Sequence, residues 1–364
     1  YIFTIRTIDC LKINFNIQPH QGQKMHLSIL DTKKLLQKIE NTRIAIYGDF
    51  CLDSYWILDP RGSEISVETG LQAQAVVEQR YSLGGASNVA ANVSALNPKE
   101  LRIFGIVGDD IFGKEMIVQL KEIGANTDGL IIQKDNFETY TFCKKILDGV
   151  EQPRLDFGTY NQRSIDTDDK VLQALRNAID NVDIIILNQQ VPQSITNISF
   201  IDKLNDLIEE NPEKIFIVDS RHFTDKFKKV SLKANDIEAA KLLDEKSTGM
   251  KVSENKLKSI ASDLSKKNNR PIFITLGENG IMAAEGDDTY RVRGLVFQTQ
   301  LDIVGAGDTV LSALACSIAA GAGIQEAIEF ANFAAGVTIQ KLYTTGTANG
   351  EEILEVCSNP VYNK

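Results

Sequence analysis

The stretch DIVGAGDTVLSALACSIAAGAG, Asp302–Gly323, places Gly305-Ala306-Gly307 directly before an acid and then runs into small apolar residues. A turn needs at most one glycine, so the second one suggests that something approaches the backbone closely. The residues after Asp308, TVLSALACSIAAG, read as a buried helix. The glycines then sit at a helix N-terminus, where unpaired N–H groups and the positive end of the helix dipole attract anions. Asp308 lies beside the same spot, and the dipole is expected to hold it as a carboxylate ready to accept a proton. A proton acceptor next to an anion cradle is what transfer of a phosphoryl group to a hydroxyl requires. The competing reading is a turn followed by an N-capping aspartate.

Outward from this stretch, apolar β-rich runs alternate with helical patterns. RIAIYGD (43–49), LRIFGIVGD (101–109), VDIIILN (182–188), KIFIVDS (214–220) and RPIFITLG (270–277) read as buried strands. Between them, SNVAANVSAL (87–96), KEMIVQLKEIG (114–124), DKVLQALRNAI (169–179) and ISFIDKLNDLIEE (198–210) read as helices. Near-continuous Val/Ile strands in such alternation predict an α/β fold of three layers, a mostly parallel sheet with helices on both faces. QAQAVVEQRYSLGG (72–85) and ETYTFCKKILDG (138–149) break the rhythm with half-polar patterns of antiparallel type. They predict a small β lid over the sheet's carboxyl edge, with strands from about 53–83 and 137–160.

The 364 residues are 43% hydrophobic and 24% charged, which is ordinary for a globular protein. A net charge of −10 argues against nucleic-acid or anionic-membrane partners, both of which need clustered Lys and Arg. Cys10, Cys51, Cys143, Cys316 and Cys357 are odd in number and show no C-x-x-C spacing, so reduced thiols in a cytoplasmic protein are expected. No run reaches the ~18 apolar residues of a membrane span. Residues 1–24 read as an extension outside the fold, and residues 25–364 as a single domain.

Some apparent motifs fail on chemistry. GDDIFGKE (108–115) approaches a phosphate-binding loop, but Glu115 stands where a hydroxyl would hold magnesium, and Asp109 and Asp110 put negative charge on the phosphate side. A turn entering a helix fits better. The first strand is followed by no G-x-G-x-x-G, so dinucleotide binding is not expected. His20, His26 and His222 are too few for histidine-based metal or triad chemistry.

DIVGAGDT with its helix, together with GGASNVAANVSALN (84–97), resembles the two signature regions of the ribokinase-like carbohydrate kinases. GDDIFG (108–113), LKANDIEA (232–239), ITLGENG (274–280) and AIEFANFAAGVTIQ (327–340) follow in that family's order, so the resemblance spans roughly Ile44 to Thr347. It implies an ATP-dependent kinase in which Asp308 is the base and Gly305, Ala306 and Gly307 form the anion hole. Asn235 and Glu238 match the family's N-x-x-E element, which organises Mg2+ and its waters around the nucleotide. Thr275, Gly277 and Gly280 fall at the ATP phosphates and ribose, and Asn332 near the adenine. Asp53, Gly84, Gly85 and Asn88 match the sugar pocket. Asp302 falls in the region that holds a monovalent cation, K+, in relatives.

SEISVETG (63–70), QRYSLGGASNVA and EQPRLDF (151–157) look most like the heptose 7-phosphate kinase branch. That branch implies a phosphorylated sugar acceptor, whose phosphate Lys144, Lys145 and Arg154 of the lid would receive. Two-domain members continue into a nucleotidyltransferase, and the resemblance here covers the kinase half. A fructokinase-, ribokinase- or nucleoside-kinase-like specificity, or a sugar-binding regulator without turnover, remains the alternative. The departures are Ile303-Val304 after Asp302, Ala234 in a proline position, Leu83 before the glycine pair, and LNQQVPQS (187–194) in place of an acid- and glycine-containing loop. A homodimer joined through lid strands is expected, because exposed strand edges need covering.

Overall fold

A computed structural model describes residues 17–18, 26–191, 197–243, 253–297, 299–342 and 345–359. A two-residue strand β1 (Ile17–Gln18) and helix α1 (Ile29–Ile39) precede β2 (Arg43–Gly48). The chain then runs through β3 (Phe50–Leu58), β4 (Val76–Gly85), α2 (Ala86–Ala95), β5 (Glu100–Gly108), α3 (Ile111–Glu122) and β6 (Asn126–Gln133). Three strands follow, β7 (Thr141–Leu147), β8 (Val150–Glu151) and β9 (Leu155–Phe157). Next come α4 (Ile165–Ala178), β10 (Ile184–Gln189), α5 (Ile198–Glu210), β11 (Ile215–Ser220) and β12 (Ser231–Asn235). They lead to α6 (Asp236–Leu243), α7 (Glu254–Asn268), β13 (Ile272–Thr275), β14 (Ile281–Glu285), β15 (Asp288–Val292) and β16 (Val296–Phe297). Three helices close the order: α8 (Ala306–Ala319), α9 (Ile324–Thr338) and α10 (Gly350–Cys357).

The main sheet has nine strands in the order β15-β14-β13-β12-β11-β10-β2-β5-β6. It is parallel from β13 to β6; β14 alone runs against it, and β15, antiparallel to β14, returns to the common direction. Each central strand is apolar on both faces because both are covered. Ile44, Ile46, Ile184, Ile186 and Ile217 pack into the core shared with α1, α2, α3, α8, α9 and α10. Ala45, Tyr47, Ile185, Leu187, Phe216 and Val218 pack into the core shared with α4, α5, α6 and α7. This is the three-layer arrangement anticipated from the Val/Ile runs.

Helix boundaries follow local chemistry. Ser28, Asp110, Ser164 and Asn197 cap α1, α3, α4 and α5 with side-chain oxygens. Asp110 accepts from the Gly113 N–H at 2.8 Å, so the stretch that approached a phosphate loop is a capped helix start. Helix α5 buries Phe200, Ile201, Leu204, Leu207 and Ile208, one face at helical spacing.

The lid is a second sheet in the order β4-β3-β7-β8, with β9 also on β7. One expectation needs correction here. β4 pairs antiparallel to β3, but β7 pairs parallel to it, and only the short β8 and β9 return antiparallel. The glycine pair Gly84-Gly85 ends β4 itself, opposite Cys51 and Phe50. Most of residues 1–24 lies outside the described residues; Ile17–Gln18 pair antiparallel with Val296–Phe297. Cys51, Cys143, Cys316 and Cys357 are buried and form no disulfide among the described residues, and Cys10 lies outside those residues. No helix among the described residues is long and apolar enough to cross a membrane.

Gly48 closes β2 where the two sheets meet. A Cβ there would stand 2.5 Å from the Asn188 carbonyl oxygen and 2.7 Å from the Ala86 Cβ, neither of which can move freely. Gly48→Ala is therefore expected to lower stability by about 1–3 kcal/mol, read as a lower urea midpoint at unchanged slope. An unchanged midpoint would mean that this junction is loosely packed.

Candidate active site

Side chains alternate along strands, so Asn188, two residues past Ile186, and Asp219, two past Ile217, face the α8 side of the sheet. Asn188 pairs in register with Gly48 on one side and Asp219 on the other. Lys233 follows on β12, and its Nζ lies 2.6 Å from Asp219 Oδ2. Together they form a polar row at the carboxyl ends of β10, β11 and β12, the edge where open α/β sheets bind ligands.

The helix that begins at the glycines stands over this row. Gly305 is its N-cap with φ 80°, a left-handed conformation that favours glycine. A Cβ on Gly305 would come 3.3 Å from Asn88 Nδ2, and one on Gly307 would come 3.2 Å from Lys233 Nζ. The Lys233 amine thus lies directly under the glycine backbone. The anion hole differs in one detail from expectation: the Ala306 N–H is already donated to the Ile303 carbonyl at 3.2 Å. The N–H groups of Gly307 and Asp308 meet no acceptor among the described residues and remain for a ligand.

Asp308 sits in the first turn rather than at the cap, and its Oδ2 accepts from Asn88 Nδ2 at 2.7 Å. The dipole was expected to hold it ionised. Burial instead pushes its pKa up to about 6, against the lowering effects of Asn88 and Lys233. A carboxyl titrating near neutrality is a better proton acceptor than one at the ordinary value. Lys233 is raised, because Asp219 first, and Asp308 and Glu238 after it, outweigh the opposing effect of burial.

In the lid, Asp53 is buried, and the Gly84 Cα lies against it: a Cβ there would be 3.4 Å from the Asp53 carboxyl carbon. Burial raises the Asp53 pKa, with Lys144 opposing. Lys144 Nζ lies 3.4 Å from Asp53 Oδ2, donates to Tyr55 Oη at 3.2 Å and stands over its ring. Arg154 stacks over Phe142 at 4.1 Å and is paired with Asp156. Strand alternation puts Asp53, Tyr55, Phe142 and Lys144 on one face of the lid. Lys145 lies on the other face with Cys143, so Lys144, not Lys145, is brought to Asp53. Gly85, at φ 52°, could not take a Cβ, which would meet the Asp49 carbonyl at 2.6 Å.

At the start of α6, Asn235 and Glu238 form a reciprocal cap. Asn235 Oδ1 accepts from the Glu238 N–H at 2.8 Å, and Glu238 Oε2 from the Asn235 N–H at 2.9 Å. Glu238 Oε1 stays outside that pair. Thr275 ends β13, and a Cβ on Gly277, at φ 56°, would meet open space, whereas one on Gly280 would strike the Val292 carbonyl at 2.3 Å. Gly280 is therefore required by the fold, and Gly277 leaves room for a ligand. Asn332 Nδ2 is spent on the Arg293 carbonyl at 3.0 Å. Asp302 Oδ1 accepts from the Val304 N–H at 3.0 Å. No group of three or more His, Cys, Asp or Glu side chains suited to a metal occurs among the described residues.

Sequence reasoning missed Asp219 and Lys233 as site residues. Their one signal was a charged side chain in the last residues of otherwise apolar strands, IVDS and SLKAN.

Because the pKa of Asp308 rises from 3.8 to about 6 on folding, the native state holds this proton more tightly than the unfolded chain. Its contribution favours folding below pH 3.8, fades between 3.8 and about 6, and is a penalty above. Asp308→Asn removes that penalty and should stabilise the protein at pH 8 relative to its effect at pH 4, by at most about 3 kcal/mol. Equal shifts in melting temperature at both pH values would contradict a strained carboxylate.

Comparison with known proteins shows the family. The sequence profile of the pfkB family carbohydrate kinases matches residues 41–349. The chain is 28% identical over 304 residues to the bifunctional protein HldE of Sulfurimonas denitrificans, covering 82% of this chain and 61% of that one. It is 30% identical over 316 residues to the protein of the same name from a Nitratiruptor species, covering 86% and 64%. It thus spans less than two thirds of these relatives. Phosphofructokinase-2 of Escherichia coli superposes with a TM-score of 0.68 at 16% identity, covering 87% of this chain and 98% of that one. Arabidopsis thaliana ribokinase, solved with ribose and ATP, gives 0.65 at 17% identity, covering 88% and 99%. With that match over most of its length, the chain belongs to the pfkB family of carbohydrate kinases.

Proposed function

We propose that this chain transfers the γ-phosphoryl group of ATP to a hydroxyl of a sugar that already carries a phosphate, with heptose 7-phosphate as the first acceptor to test. One observation carries the reading: the Asp308 carboxyl and the unspent N–H groups of Gly307 and Asp308 share the first turn of α8, with the Lys233 amine beside Gly307 and acting on that carboxyl. Asp308 takes the proton of the acceptor hydroxyl. The hydroxyl oxygen forms its bond to the γ-phosphorus as the bond to the bridging oxygen breaks and ADP leaves. Charge on the γ-oxygens meets the two N–H groups and Lys233, donors of a kind that contribute about 2.7–4 kcal/mol each.

Thr275 and Gly277, at the end of β13, leave space for the nucleotide phosphates. Asn235 and Glu238 offer the oxygen donors a hard divalent cation takes. Magnesium held there through water would neutralise phosphate charge. The sugar would lie between Asp53 and Asp308, under the lid. Lys144 and Arg154, on the face of the lid that carries Asp53, support an acceptor with its own phosphate, as does similarity to proteins named HldE.

The test is ADP release with MgATP across a panel of sugars and sugar phosphates. Turnover on a sugar phosphate is expected, with Asp308→Asn about 10²–10⁴-fold slower. In the wild type kcat/KM should rise with pH through the Asp308 titration at about 6 and then level. Lys144→Met and Arg154→Met should each raise KM for the phosphorylated acceptor about tenfold or more and spare an unphosphorylated congener. Turnover confined to a free hexose, ribose or nucleoside would change the acceptor and keep the mechanism. Sugar binding without turnover, unaltered in Asp308→Asn, would make the chain a binding protein instead.

The lid sheet ends at β4, where Val77 is exposed. A second copy of the chain covering that edge is the assembly we expect. A monomeric mass in solution at micromolar concentration would count against it.

A further inference from the structure

Four buried polar side chains behind the base form a chain of hydrogen bonds that the transfer reaction itself does not use. Asn88 and Asn92 lie on α2, Thr309 on α8 and Thr338 on α9, and each is at most 2% exposed. Asn88 Nδ2 donates to Asp308 Oδ2 at 2.7 Å. Asn92 Nδ2 reaches the Asn88 carbonyl oxygen at 2.9 Å and Asn88 Oδ1 at 3.4 Å. Thr309 Oγ1 donates to Asn92 Oδ1 at 2.7 Å, and Thr338 Oγ1 lies 3.0 Å from Thr309 Oγ1.

The sense of this chain is determined by chemistry. A backbone carbonyl only accepts, so the Asn92 atom facing the Asn88 carbonyl must be the amide nitrogen. The Asn92 oxygen therefore faces Thr309, whose single proton goes to it. Thr338 then directs its own proton to Thr309 or to the Ala334 carbonyl at 3.2 Å. The same Asn92 nitrogen faces the Asn88 side chain, which must present its oxygen there and its NH2 to Asp308. A reversed Asn88 would aim a carbonyl oxygen at the carboxylate, an arrangement that only a protonated Asp308 could satisfy.

We infer that Asn92 and Thr309 are positioning residues that set the orientation of the Asn88 carboxamide and so keep Asp308 in its ionised, proton-accepting form. The inference rests on the assignment of Asp308 as the base. The buried location enforces the orientation, since a flipped amide would leave several buried polar atoms unpaired. Gly305 belongs to the device: a Cβ there would crowd Asn88 Nδ2 at 3.3 Å. The charged and titratable groups that act on Asp308 come from elsewhere: Lys233 on β12, Asp219 and Arg221 at the end of β11, and Cys51 on β3. The relay from α2, α8 and α9 adds a directed donor and no charge.

The test titrates Asp308 directly. In protein labelled with 13C at aspartate carboxyls, the resonance missing from Asp308→Asn is followed against pH in wild type, Asn92→Leu, Thr309→Val and Thr309→Ser. Loss of a donor to the carboxylate raises its pKa, so Asn92→Leu and Thr309→Val should titrate higher, and Thr309→Ser, which keeps the hydroxyl, as wild type. In kcat/KM, an acid limb moved up by one unit costs roughly fivefold at pH 6 and almost nothing at pH 8.5. Losses of equal size at every pH, or a titration unmoved in Thr309→Val, would overturn the relay while leaving the kinase reading intact. Full activity in Asp308→Asn would instead remove the base assignment and the relay with it. Thr309→Val changes one hydroxyl to a methyl of the same shape, so it serves if Asn92→Leu does not fold.

Discussion

The position of Asp308 depends on the burial of one helix. From Thr309 to Ser317, every residue of α8 is buried, packed in the core that also holds residues of α2, α9 and the central strands. A helix so enclosed cannot slide or tilt without opening voids. Its first turn is consequently held over the carboxyl ends of β10, β11 and β12 by apolar packing, not by contacts at the site itself. The small residues Ala313, Ala315 and Ser317 allow that close approach, and the two glycines let the end of the helix come down onto Lys233.

What this placement costs is visible in the charges. Asp308, Asp219 and Lys233 lie in one confined region, and the net effect on Asp308 is a pKa pushed up to about 6 rather than down. Lys233 lies between two acids: its close partner is Asp219, and it acts on Asp308 from beneath Gly307. A stronger pairing with Asp308 would lower its pKa and stabilise the fold. The structure instead gives the ion pair to Asp219 and leaves Asp308 a neutral amide donor, so the carboxyl titrates near 6 at some expense of stability.

How far the sequence carried depended on whether a feature was local. The anion cradle, the buried strands and the span of α5 were legible, since each is specified by a few adjacent residues or by one period. Strands β6, β14 and β15 were passed over: NTDGL and DTYRV are too polar or too short to stand out beside VDIIILN. The parallel pairing of β7 on β3 was hidden, because orientation is set by the long connection and not by the strand. Lys144 and Lys145 were indistinguishable for a similar reason, since a one-residue change of phase reverses a strand's faces. Asp219 and Lys233 are a site only as cross-strand neighbours, fourteen positions apart.

The departures from the family pattern divide on the same physical ground. Ile303 and Val304 are exposed, and what Ile303 supplies is its backbone carbonyl, which takes the Ala306 N–H and closes the turn into α8. Leu83 is buried in the core beside α2, and Ala234 lies buried in β12, in register with Ile274. In the altered loop, Gln189 does the work of a strut. Its Oε1 accepts from Ser220 Oγ at 2.9 Å and from the His222 N–H at 3.0 Å, and its Nε2 donates to the Val191 carbonyl at 2.6 Å. Asp49 fastens the same loop through the Gln190 and Val191 N–H groups. The Gln189 and Asp49 side chains are thus spent on holding this loop, and those of Leu83 and Ala234 on packing. Asn188 differs: buried between Gly48 and Asp219, its carboxamide has no partner for either polar atom among the described residues. Packing does not account for it, because an apolar side chain of the same size would fit that position at lower cost.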